Sequence, residues 1–125
     1  MRCPCRKKSE TTSYADCCEP YHAGLRPAPT AEALMRSRYA AFALKRVPYL
    51  LATWHPTTRP ARIDLDDGDA WVQLRVLAAT TDNDEATVEF IARSRSGGRV
   101  ASLHEISRFV RENGAWLYVD GTPGG

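Results

Sequence analysis

Four cysteines, Cys3, Cys5, Cys17 and Cys18, crowd into the first eighteen residues of this 125-residue chain, and residues 19–125 contain none. A disulfide framework would spread its bridges along the chain. Two close pairs joined by a short loop instead offer four soft ligands to one tetrahedral ion, the coordination zinc favours. Pro4 stiffens the first pair, and Tyr14 stands where it can pack over the closed loop. His22 is a substitute ligand, since imidazole binds zinc comparably well. The competing reading is a set of free thiols on an irregular tail. Arg2, Arg6, Lys7 and Lys8 collar the first pair, with no acidic residue before Glu10. Four thiolates around a divalent cation carry net negative charge, which such a collar offsets.

A second group of polar residues belongs to the body of the chain. Arg38 lies four residues from both Leu34 and Phe42, so it projects from the apolar face of a helix, where a guanidinium is costly unless paired. Glu105 shares the alternation of Leu103 and Phe109 and points to the same apolar layer, which makes it the expected partner. Such a pair could floor a ligand pocket or serve only as a structural strut. His55, before Pro56, is a candidate general base or a capping residue. Asp120 is a candidate acid or a turn cap, and His104 falls on the strand face opposite Glu105, with Arg108. Together His55, Glu105 and Asp120 are the catalytic candidates, of hydrolase or isomerase type. No nucleophile elbow, phosphate-binding glycine loop, dinucleotide fingerprint or helical metalloprotease motif occurs.

These residues need elements to hold them. Residues 1–29 carry all the cysteines together with Pro4, Pro20, Pro27 and Pro29 and show no sustained periodicity, so a metal is the expected clamp. Residues 30–125 form the domain proper. Thr30 can cap a helix running to about Lys45, and Pro48 opens a second, short helix that His55-Pro56 should stop. Val72, Leu74 and Val76 alternate with Trp71, Gln73 and Arg75, and Val88, Phe90 and Ala92 with Glu89, Ile91 and Arg93, as strands do. Thr81 to Asp84, Ser96 to Gly98 and Glu112 to Gly114 read as turns, after an acidic turn at residues 64–69. The expectation is an α+β fold: two helices on one face of a meander of about four antiparallel strands.

At 43% apolar residues the chain can bury one modest core. Its 17 basic and 15 acidic side chains leave a net charge of +2, no broad reason for sequence-specific DNA binding. No apolar run approaches the roughly 20 residues that cross a bilayer, and the N-terminus lacks a signal-peptide stretch. A cytoplasmic location is expected, where thiols stay reduced.

The block Cys3-Pro4-Cys5, Tyr14, Cys17-Cys18, Pro20-Tyr21-His22 and Gly24 resembles the SEC-C zinc motif that opens bacterial proteins of the YchJ family. So do Leu34-Met35-Arg36-Ser37-Arg38-Tyr39 with Phe42, Thr53-Trp54-His55-Pro56, Ser107-Arg108-Phe109, Glu112-Asn113-Gly114 and Asp120-Gly121-Thr122. Two features depart from that pattern: eleven residues separate Cys5 from Cys17 where about eight are usual, and Arg6-Lys7 replaces Gly-Ser. A second copy of the motif, carried at the C-terminus by some members, has no counterpart in residues 19–125.

The resemblance implies a nuclear-transport-factor-like cone, a curved sheet wrapped around helices to leave a cavity, behind a short zinc knuckle. Arg38, Tyr39, Trp54, Glu105 and Trp116 are then the candidate cavity residues. Two functions follow as expectations. One is a zinc-dependent adaptor whose knuckle docks on a protein or ribonucleoprotein partner. The other is a small-molecule binder or enzyme using the cone.

Overall fold

A computed structural model of the chain describes residues 1–7, 10–65 and 69–124. Lys8 of the basic collar and part of the acidic turn lie outside the described residues.

A 3-10 turn at Tyr14–Asp16 leads into a single-turn helix, α1 (Glu19–His22), then α2 (Ala31–Leu44) and α3 (Val47–Ala52). Four strands follow: β1 (Asp69–Asp82), β2 (Glu85–Ser96), β3 (Arg99–Glu112) and β4 (Ala115–Pro123). They pair antiparallel in the order β1-β2-β3-β4, the expected meander. The Thr30 hydroxyl caps α2 by accepting from the Ala33 N–H at 3.0 Å. Lys45 ends the helix in the left-handed region at φ 60°. Leu34, Met35, Tyr39 and Ala40 form its buried face, which packs on β1, β2 and β4. Asn113-Gly114, with φ of 52° and 79°, makes the tight turn between β3 and β4.

Two local differences from the sequence expectation matter for the site. The second helix ends at Ala52, before Pro56 can stop it. The Thr53 carbonyl accepts from the Tyr118 N–H and the Tyr118 carbonyl from the His55 N–H, both at 2.8 Å, so the chain is drawn onto β4. In β1, a register shift between Trp71 and Gln73 interrupts the alternation. Simple alternation would set Trp71 opposite Leu74. The bulge instead lets both reach the core, Leu74 buried within it and Trp71 packed against it.

One continuous core holds Leu34, Val88, Phe90, Phe109 and Trp116 together with all four cysteines, so the N-terminal segment is packed into the domain. No helix among the described residues is long and apolar enough to cross a membrane.

Candidate metal centre and cone cavity

The stretched loop between the cysteine pairs closes by backbone pairing. Cys3 N–H donates to the Thr12 carbonyl at 3.0 Å, Tyr14 N–H donates to the Met1 carbonyl at 2.7 Å, and Arg2 bridges Ser13 antiparallel. That carries the first pair beneath Cys17 and Cys18, which follow the 3-10 turn. The sulfurs of Cys5 and Cys17 lie 3.5 Å apart, Cys3 and Cys5 3.6 Å, Cys5 and Cys18 3.7 Å, and Cys17 and Cys18 3.8 Å. Sulfurs bonded at about 2.3 Å to a central zinc stand ~3.8 Å apart along tetrahedron edges. A disulfide needs about 2.05 Å, and all four thiols are free. The donor set therefore fits one tetrahedral metal ion, held by Cys3, Cys5, Cys17 and Cys18.

The electrostatics agree. Without a cation the sulfurs cannot all ionise: a hydrogen bond from the Cys18 thiol lowers the Cys3 pKa, and the same bond raises that of Cys18. A divalent ion held by these sulfurs would take the place of those protons. Arg6 Nε donates to Cys17 Sγ at 3.4 Å, the bond chiefly responsible for raising the Arg6 pKa, and its Nη1 reaches Glu10 at 3.3 Å. Arg2 donates to the Arg6 carbonyl at 2.7 Å, so only Arg6 of the collar's described members touches sulfur.

His22 stands outside the sulfur cluster. Its Nε2–H donates to the Ser37 carbonyl at 2.8 Å, and its Nδ1 then accepts from the Tyr14 hydroxyl at 2.6 Å. Burial lowers its pKa, which suits this neutral ring between Tyr14 and Tyr49. With both nitrogens engaged, it ties the knuckle to α2 and has none left for a metal. Arg36 adds a second tie, Nη1 to the Cys5 carbonyl at 3.1 Å.

Behind the knuckle, between α2 and the sheet, lies a cavity of about 310 Å3. Arg38, 5% exposed, reaches its wall from α2. Its Nη1 donates to the Leu50 carbonyl at 2.9 Å and to Thr53 Oγ1 at 2.7 Å. Its guanidinium carbon lies 4.9 Å from the Trp54 ring centroid and 4.6 Å from that of Tyr118. Burial lowers its pKa to about 10, which leaves it charged at neutral pH.

The expected Arg38–Glu105 ion pair does not form as a direct contact among the described residues. Arg38 is held by the end of α3 and two aromatic faces, while Glu105 Oε2 accepts from the Ser107 hydroxyl at 2.6 Å. Both line the cavity nonetheless, with Tyr39 and Trp54. Tyr39 Oη and Trp54 Nε1 are buried without any hydrogen-bond partner among the described residues.

The remaining candidates lie elsewhere. His55 binds Thr57 through Nδ1 at 2.7 Å and Glu112 through Nε2 at 2.8 Å. Arg108 grips Asp120 with Nε and Nη2 at 2.6 and 2.7 Å, and that grip holds the Asp120 carboxyl below its usual range. Trp116 is buried in the core with Arg111 over its ring at 5.0 Å, and it does not line the cavity. His104 pairs with Glu89 at 2.7 Å. His55, Glu105 and Asp120 thus form no common site. Thr53, Ser107 and Gly121 serve the cavity without having been singled out, while Tyr118 lines it as a core or cavity-wall residue is expected to. A methyl group at Gly121 would overlap the Glu105 carboxylate, so this glycine makes that side chain's berth.

A four-sulfur knuckle welded to a helix-backed meander defines the class: SEC-C motif proteins with a nuclear-transport-factor-2-like domain. Residues 30–121 match the family described as YchJ, middle NTF2-like domain. The chain belongs to the YchJ family, whose relatives carry the name UPF0225. It is 50% identical to a UPF0225 protein of Polaromonas naphthalenivorans, over 95% of each chain. With one of Streptomyces coelicolor it shares 52% identity, over 95% of this chain and 93% of the relative. Two solved structures are similar. The solution structure of RPA3114, a SEC-C motif containing protein from Rhodopseudomonas palustris, has a TM-score of 0.83 at 40% identity and covers 94% of this chain and 96% of its own. The crystal structure of a SEC-C motif containing protein from Psychrobacter arcticus has a TM-score of 0.79 at 33% identity, covering 98% and 82%.

Proposed function

We propose that the protein is a zinc-clamped binder of a small organic molecule, which the cone cavity receives. The observation that carries this is the cavity wall itself, which brings the charged side chains of Arg38 and Glu105 to an otherwise largely apolar lining that includes Tyr39 and Trp54. Beside it Tyr39 Oη and Trp54 Nε1 are buried with no hydrogen-bond partner among the described residues, at a cost of about 1–3 kcal/mol each that a ligand removes only by drawing these side chains toward the cavity. The volume sits at the lower end of the range for small-molecule sites. Zinc is the metal best suited to four thiolates at these spacings, and its role here is structural, all four positions being filled by protein. The dispersal of His55, Glu105 and Asp120 favours a binder over an enzyme. Reduced, metal-holding cysteines suit the cytoplasm.

The test is a fragment screen by protein NMR on the zinc-loaded protein, following the Trp54 indole resonance assigned with Trp54→Phe. Saturable movement of that resonance by at least one fragment is expected, with a matching rise in melting temperature. A library that never moves it sinks the proposal.

A second reading, the adaptor, has its own support. Met1 and Leu25 are 74% and 78% exposed, and Arg2, Lys7 and Arg26 lie near them in the sequence. Such a surface suits an acidic protein or a ribonucleoprotein. Charge reversal by Arg2→Glu with Lys7→Glu should abolish co-sedimentation with ribosomal particles, and unchanged co-sedimentation overturns this reading.

A further inference from the structure

Arg38 and Glu105 face one cavity, carry opposite charge and do not touch. Each is anchored by neighbours that leave part of it open. Among the described residues Arg38 uses only Nη1 in hydrogen bonds, so its Nε/Nη2 edge has no partner. The same edge of Arg108 takes both oxygens of Asp120, at 2.6 and 2.7 Å, which shows on this chain what it is shaped to hold. Glu105 commits one oxygen to Ser107 and rests on Gly121, where any larger residue would displace it.

We infer that the cavity takes a zwitterion of amino-acid type with an apolar side chain. This deepens the small-ligand reading and rests on it. The ligand carboxylate lies on the open edge of Arg38, and the ligand ammonium lies on Glu105. Charge selects the class. A simple carboxylic acid would bring its anion toward Glu105, and a simple amine its cation toward Arg38, in surroundings where like charges are poorly screened. A ligand with both groups completes both residues and leaves the cavity neutral. Phe42, Trp71, Phe90 and Leu103 form an apolar wall for the side chain. At ~30 Å3 per water the space corresponds to about ten waters, the scale of one amino acid.

The probes are L-phenylalanine and L-leucine, then 3-phenylpropionate, which lacks the amine, and phenethylamine, which lacks the carboxylate, each titrated into zinc-loaded protein. At least one amino acid should move the Trp54 indole resonance. Phenylalanine should bind roughly tenfold or more tighter than either truncated analogue. Glu105→Gln should erase its advantage over 3-phenylpropionate while the melting temperature stays near that of the parent. Equal or tighter binding of a truncated analogue overturns the zwitterion but leaves a small-ligand site standing. If none of the four moves the indole, the zwitterion is likewise overturned, while the fragment screen judges the broader reading on its own. A Glu105→Gln protein that keeps the full preference removes Glu105 from the site.

Discussion

The sulfur cluster and the cone cavity are both polar constellations set in one apolar core, yet they are finished to opposite degrees. In the cluster every group is engaged: four sulfurs stand at tetrahedron-edge spacing, Arg6 covers Cys17, and His22 and Arg36 tie the loop to α2. Around the cavity of about 310 Å3 the Tyr39 hydroxyl, the Trp54 indole N–H and one guanidinium edge of Arg38 have no hydrogen-bond partner among the described residues. A saturated site stabilises the molecule that contains it. An unsaturated one costs stability and is retained where something else completes it.

Removing the metal should give the largest effect. Structural zinc in small knuckles contributes about 10–16 kcal/mol of apparent binding free energy, part of which becomes folding free energy here. Elemental analysis should find one zinc per chain. A strong chelator, or Cys3→Ser with Cys17→Ser, should lower the melting temperature by about 10 °C or more, since a few kcal/mol shifts a domain of this size that far. The shared core predicts that α2 loses protection too, which hydrogen exchange at Leu34 and Met35 would report. If only the first 29 residues loosened, the knuckle would be an independent appendage and the comparison would fail.

Two adjacent residues on α2 sharpen it further. Arg38→Ala should destabilise by about 2–4 kcal/mol, because the Leu50 carbonyl and Thr53 hydroxyl lose their donor and the Trp54 and Tyr118 faces lose their cation. Tyr39→Phe should be neutral or stabilise by up to about 1 kcal/mol, since it deletes a buried hydroxyl that has no partner. Urea unfolding compares the two directly. A destabilised Tyr39→Phe would mean the hydroxyl is already satisfied, and the claim of an unfinished cavity would weaken.

How far each region was legible follows from how local its physics is. The cysteine cluster could be named because residue type and close pairing are themselves the chemistry. The burial of Arg38 could be named because helical periodicity places it. Its partners could not, because the Leu50 carbonyl and Thr53 reach it only through the packing of α3. His22 looked like a spare ligand until Tyr14 and a carbonyl fifteen residues away took its nitrogens. Trp71 is out of step with Leu74 by alternation, yet its size marked it for the core or cavity wall, and a single bulge is what lets it reach there. His55, attractive before a proline, is claimed by Glu112, 57 positions downstream. The helices, the meander and the turns were readable from period, capping and Asn-Gly or Gly-Gly chemistry. A cone with a cavity was expected only through the family resemblance, and residue pattern alone left the Arg38–Glu105 pair open between pocket floor and strut, since a void leaves no periodic trace.

The smallest effect should come from the outer face of the sheet. Arg108 and Asp120 bond through two short contacts, yet both side chains are largely exposed, and exposed pairs gain little over their hydration. Asp120→Asn should leave zinc content and ligand binding unchanged, with a stability difference close to the limit of measurement. Its pH dependence has a definite sign. Arg108 holds the Asp120 carboxyl below its usual range, so the pair's contribution is present at neutral pH and is lost as pH falls through that lowered folded pKa. The parent and Asp120→Asn should therefore converge in acid, below the ordinary aspartate value of about 3.9. A large loss at neutral pH, or any change in the Trp54 indole resonance on ligand addition, would return Asp120 to the cavity and break the separation between the filled surface of the sheet and its open interior.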